Sequence, residues 1–240
     1  MQKTQEQAEK AANKANREIL KTVTTFDQIH RLEKSSLDKP ERKINKIIEK
    51  HIFDCYVNSW ITEAEELEDL FGDILLASFI ARLAWIKTNG PDKELIKEAR
   101  EYVKKPVAEN HSLRFFTHRH FEKYIQQRKD IEKAPKTDRK MLIKWRTGKQ
   151  GESGIGYSLT SLLRTESDTA QAEASLSTYK AAGVTKYEYC AMKDDKTCER
   201  CKELDGKIFK VSEKQPGVNF PRLHRNCRCY ILPILEVGND

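Results

Sequence analysis

The apolar positions of the first half of the chain recur at steps of three and four. From Gln5 to Leu32 they fall at Ala8, Ala12, Ala15, Ile19, Val23, Phe26 and Ile29, one helical stripe that opens on alanines and closes on bulky side chains. Such a stripe packs thinly in its first turns or docks there on a partner. A break is expected over Ser35–Pro40. Pro40 suits a helix start, where a missing N–H costs nothing, and Ile44, Ile47, Ile48, His51 and Ile52 then share one face. On that face His51 reads as a core histidine and not as a ligand. Thr62 and Glu65 have the spacing of a capping box and are expected to open the most apolar helix. Leu67, Leu70, Phe71, Ile74, Leu75, Phe79 and Trp85 would supply its core, and Asn89-Gly90-Pro91 would end it.

Further helices are expected over Asp92–Lys104, Ser112–Lys133, Lys136–Arg146 and Ser158–Ala182, the last stopped by Gly183. In the second of these Leu113, Phe116, His120, Tyr124 and Ile131 are spaced helically, while His118 and His120, two apart on a helix, face away from each other. Arg164 and Glu166 are likewise two apart, so each must find a partner elsewhere, expected in the domain that follows. GKQGESGIG, between Gly148 and Gly156, lacks the G-x4-G-K-[ST] of a phosphate loop and reads as a flexible connection. Beyond Gly183 the period changes to two. Tyr187, Tyr189 and Ala191 alternate with Glu188, Cys190 and Met192 as in a strand, Asp205-Gly206 looks like a hairpin turn feeding a strand at Lys207–Val211, and Cys227–Ile234 forms a last strand. Pro233 argues that this strand is a sheet edge. The fold class is therefore α+β: a mainly helical N-terminal region, 1–147, a Gly-rich connection, 148–157, and a small α+β module with a short antiparallel sheet, 158–240.

Composition alters this picture in two places. The longest apolar run, Ile74–Ala81, is cut by Arg82 and is far too short to span a bilayer, so no membrane partner is expected. The net charge of +7 is uneven: residues 1–50 carry +4, 51–110 carry −5, 111–165 carry +8 and 166–240 carry none. The segment 111–165 is the candidate footprint for a polyanion, DNA or an acidic protein surface; a solvated helix face is the plain alternative.

The cysteines carry the chemistry. Four of the six, with one of the six histidines, fall within the 32 residues from Cys198 to Cys229. Cys198 and Cys201 are spaced C-x2-C, which lets one tight turn aim two thiolates at a single ion about 2.3 Å away. His224 and Cys227 repeat the spacing as H-x2-C after 22 residues, and Cys229 follows two positions on. Three thiolates and an imidazole match a closed structural zinc site better than iron or copper. Five donors compete for four places, with Cys198, Cys201, His224 and Cys227 preferred and Cys229 the rival of Cys227. Disulfides need an oxidising compartment, and MQKTQEQAEK carries no apolar signal region, so a reducing space is expected.

LLRTESDTAQAEASLSTYKAAGV, YEYCAMKDDKTCERCKELDGKIF and PRLHRNCRCYILPIL together resemble the phage head-morphogenesis family typified by the F protein of phage Mu, minor head proteins of tailed phages. The resemblance lies in an Arg-Thr-Glu opening a helix, a D-x2-T-C-x2-C knuckle, a following Gly-Lys-x-Phe and a P-x2-H-x2-C-R-C close, over roughly 155–235. Tyr189 stands where the family usually has tryptophan. The resemblance implies a non-enzymatic virion protein, present in few copies, acting in procapsid assembly near the portal vertex and made in the host cytoplasm. Expected partners are the portal protein, the major capsid or scaffold protein and, through 111–165, non-specific double-stranded DNA. It leaves open a part in DNA packaging or ejection.

Three rivals compete. A zinc-stapled nuclease needs a histidine base and a metal-binding pair near the knuckles, yet His224 is the one histidine after His120. An ADP-ribosyl transferase built on Arg164 and Glu166 lacks the accompanying Ser-Thr-Ser and Glu-x-Glu. A non-catalytic DNA-binding module lacks a basic recognition helix beside the cysteines, where the chain is net neutral.

Overall fold

The computed structural model describes residues 2–27, 34–104, 118–133, 155–224 and 227–235. The Gly-rich connection through residue 154, the expected helix Lys136–Arg146, and Leu113 and Phe116 lie outside the described residues. Two compact units share the chain, Met1–His51 with Asn110–Arg164, and Ile52–Glu109 with Thr165–Asp240.

The first unit is helical. Helix α1, Gln2–Asp27, buries the expected stripe of Ala8, Ala12, Ala15, Ile19 and Val23 and packs with α5, His118–Lys133. Among the described side chains of α5, Phe121, Tyr124 and Ile125 are buried; Tyr124 was named by spacing, whereas His120, also named, is half-buried beside Phe121. Helix α2 runs unbroken from Lys34 to Phe71, so the break expected over Ser35–Pro40 is not formed. Pro40 removes a single backbone hydrogen bond, and Leu37, Ile44 and Ile48, all buried on one face, hold the helix across it. Glu18 of α1 pairs with Lys43 of α2 at 2.9 Å. Arg164, on α6 (Ile155–Ala182), reaches back to Glu9 of α1 instead of forward to the next domain. His51 is buried, in keeping with its apolar face.

In the second unit α2 continues straight through Thr62 and Glu65. Mid-helix N–H groups already have partners, so the capping-box pattern has no orphan donor to satisfy there. The real interruption comes at Gly72–Ile74, a single 3-10 turn, before α3, Ala77–Asn89, and α4, Lys93–Lys104. That elbow turns Leu70, Ile74 and, further on, Trp85 outward, against the expectation of core positions, while Leu67, Leu75 and Phe79 are buried as expected. Gly90 ends α3 with φ of 83°. Asp92 caps α4, accepting the Leu95 N–H at 2.7 Å. Trp60, fully buried, packs tilted against Phe79 with the Arg82 guanidinium 4.8 Å from its ring centre, and Tyr56 stacks on Tyr102.

Helix α6 stops at Gly183, whose φ of 86° suits glycine alone, and feeds a three-stranded antiparallel sheet of order β2-β1-β3. The strands are β1, Lys186–Cys190, β2, Ile208–Lys210, and β3, Tyr230–Ile234, the last at an edge as Pro233 requires. Asp205-Gly206 turns the chain out of a short helix α7, Glu199–Leu204, and not out of a strand, so it closes a helix-to-strand corner. Tyr187 and Tyr189 are wholly buried on one face of β1, and the Tyr179 hydroxyl contacts the Ile231 carbonyl at 3.2 Å, tying α6 to β3. The chain is thus α+β, a mostly helical N-terminal region followed by a small antiparallel sheet.

Candidate metal centre

Two knuckles of the same construction face each other. In the first, Cys198 precedes α7 and its carbonyl accepts the Cys201 N–H at 3.0 Å; in the second the His224 carbonyl accepts the Cys227 N–H at 3.2 Å. Each three-residue reach aims two donors to one side, which is what C-x2-C and H-x2-C spacing provides. The donors converge: His224 Nε2 lies 3.3 Å from Cys198 Sγ and 3.4 Å from Cys201 Sγ, and Cys201 Sγ lies 3.9 Å from Cys227 Sγ. Two ligand groups result, Cys198–Cys201–His224 and Cys201–Cys227–Cys229, each with its donor atoms within 4.8 Å of one another and with Cys201 common to both. The first opens to solvent through Cys198 and His224; the second is wholly buried.

The surroundings hold these donors in place. The Tyr189 hydroxyl sits 3.6 Å from Cys201 Sγ, so the aromatic on the strand touches the ligand group directly. Arg222, buried, donates to the Cys229 carbonyl and reaches Asp168 of α6 at 3.6 Å. Asp194 accepts the Lys196 N–H at 3.1 Å and pairs with Arg228 at 2.6 Å, joining the loop before the first knuckle to the segment between Cys227 and Cys229. That pairing holds the Asp194 carboxyl down at about 2. Asp205 accepts the Ala191 N–H at 2.8 Å and so fixes the strand end beside α7.

The thiols are unequal. A hydrogen bond from Cys229, with backbone N–H groups and the Arg222 charge, brings Cys227 down to about 4, while the same bond and burial push Cys229 up. The Cys201 N–H lowers Cys198, and burial raises Cys201 to about 11. Cys198 and Cys227, one in each knuckle, are thus held toward the thiolate, while Cys201 and Cys229 are the thiols that a bound metal would have to deprotonate. Cys55 and Cys190 stand outside the groups as buried thiols, both raised to about 11 by burial.

All five donors named from spacing meet in this place. Three partners escaped the sequence reading: Arg222, Asp168 and the Asp194–Arg228 pair. Asp194 and Arg228 carried a signal, as the first residue of D-x2-T-C-x2-C and the arginine of C-R-C; Arg222 and Asp168 carried none. Thr165 and Glu166 are buried in the helix and offer no open site, and among the described residues no helix is long and apolar enough to cross a membrane.

Residues 119–232 match the family model described as Phage Mu protein F like protein. No curated protein and no solved structure matches the chain. The matched segment is a little under half of the chain and begins in α5, well upstream of the stretch that carried the sequence resemblance. Over that segment the chain is Mu F-like, which points to phage head morphogenesis, a class that is structural and in general not enzymatic.

Proposed function

We propose that the protein is a minor head component of a tailed phage that acts in procapsid assembly near the portal, without catalytic activity, and that its Cys/His cluster holds one structural zinc ion. The observation that carries the reading is the Mu F-like match, which spans both knuckles. The donor set fits zinc: soft thiolates with one imidazole, in two knuckles that converge, are the chemistry of a closed structural site. Cys198, Cys201, His224 and Cys227 would hold the ion, with Cys229 as the alternative to Cys227. Bound zinc supplies folding free energy and no reaction. The chain's own residues then do the positioning: Tyr189 and Arg222 set the buried thiols, and the Asp194–Arg228 pair joins the two knuckles.

A rigid small module suits docking on portal or shell, and the basic segment 111–165 suits packaged DNA or an acidic capsid surface. The test is co-purification with procapsids assembled with and without the protein. A few copies per particle, and assembly defects in its absence, are expected; a protein absent from purified heads contradicts the reading. DNA retention should fall steeply with salt and show no sequence preference.

A further inference from the structure

Helix α3 is apolar on both sides. At 100° per residue Phe79, Leu83 and Ile86 cluster in one direction and are buried, whereas Ala77, Ala81 and Ala84 point the opposite way, with Trp85 beside them. These four are exposed, and Trp85 keeps 49% of its surface open. The elbow leading into the helix adds Leu70 at 71%, and Ile74 and Leu76 at 50% each. Thr88 is the polar residue within that face, and a cluster of exposed apolar positions such as this marks an interaction site.

Carboxylates outnumber cations on the α2 flank, and on the α4 flank Asp92 and Glu94 stand against Arg82 and Lys93. On the α2 side Lys87 pairs with Glu68 while Glu65 and Asp69 also act on its charge, one ammonium among three carboxylates. On the α4 side Arg82 forks onto Asp92 at 2.7 and 3.1 Å and meets Glu94 at 3.4 Å. A cleft of about 360 Å³ opens there, lined by Arg82, Trp85, Asp92, Lys93 and Glu94. Of these cations Lys87 and Arg82 are engaged, and Asp69, beside Lys87, and Asp73, in the elbow, stand exposed in the segment whose net charge is −5.

We propose that the outward face of α3, with the Leu70–Leu76 elbow, is the docking surface for a basic amphipathic helix of a partner protein. The three alanines let a helix backbone approach closely, Trp85 serves as the aromatic anchor, and lysine or arginine side chains at the edges of the incoming helix meet the flanking carboxylates. An acidic or uncharged helix finds the same apolar strip but no charge to answer its own.

The experiment uses the full chain and a fluorescently labelled peptide of about 15 residues built from leucine and lysine as an amphipathic helix. Its controls are the leucine–glutamate counterpart and a scrambled leucine–lysine peptide with no apolar face. Saturable binding is expected, weakened at least about tenfold by Ala81→Lys or Trp85→Ala and by exchange of lysine for glutamate in the peptide. Both substitutions fall on exposed positions, and the far-UV spectrum checks that the helices persist. Unchanged binding to Ala81→Lys overturns the proposal, as does equal binding of the scrambled peptide, which would reduce the effect to charge alone. A dimer seen in sedimentation and abolished by Ala81→Lys would assign the face to a second copy and overturn it equally.

Discussion

The helices of residues 52–104 and the sheet of residues 186–235 belong to one compact unit but are held together by different means. In the helices large apolar groups do the work: Trp60, Phe79, Leu83 and Leu95 are essentially out of water. In the sheet the buried cluster is Tyr189, Ala191 and Leu223 with Cys201, Cys227 and Cys229, so half of its members are candidate metal donors. Burial of apolar area suffices where there is enough of it; a short sheet with two edges has too little, and under the proposed function ligand bonds to an ion would make up the difference.

The largest break in this comparison is loss of the proposed metal. Cys201→Ser, which touches both ligand groups, or chelation, should forfeit an apparent stabilisation on the order of 10–16 kcal/mol at neutral pH. The expected outcome is loss of the sheet's tertiary signals by NMR while helical circular dichroism is largely kept. Trp60→Ala attacks the other side and should cost about 3–5 kcal/mol in urea unfolding, with metal content unchanged. Gly183→Ala tests the joint between α6 and β1. Its φ of 86° and a new Cβ 3.1 Å from Leu76 should cost roughly 1–2 kcal/mol, read as a lower melting temperature. The smallest effect sharpens the comparison through pH. Glu63, accepting hydrogen bonds from Ser175 at 2.6 Å and Tyr179 at 2.8 Å, is raised above its ordinary 4.5 by burial. A raised acid contributes stability that is complete below about 4.5 and lost as pH climbs through its folded value. Glu63→Gln should therefore stabilise the protein at pH 7 and converge with wild type near pH 4, in melts followed at both.

What the sequence made legible follows from how local each signal is. The α1 stripe, the Asp92 start of α4, the Gly183 stop and the edge strand at Pro233 rest on spacing within a turn or two and are found, and the five candidate donors, named the same way, are brought together in space. Pro40 and the Thr62–Glu65 pair misled because a start signal has force only where backbone donors are orphaned, and α2 passes through both with its bonds made. Leu70, Ile74 and Trp85 were assigned to a core on apolarity alone; the turn at Gly72 swings them outward, and no local pattern announced it. Arg222 and Asp168 were invisible for another reason, since their contact joins residues 54 positions apart.

Elemental analysis of the purified chain, with thiol counting before and after chelation, tests the central claim most directly. The account expects about one zinc per chain, as a single closed site requires, with the thiols of the knuckles shielded until the metal is removed. A chain that is folded, free of metal and unaltered by chelation would contradict it, leaving Cys198, Cys201, Cys227 and Cys229 as unliganded thiols and the sheet held by its tyrosines alone.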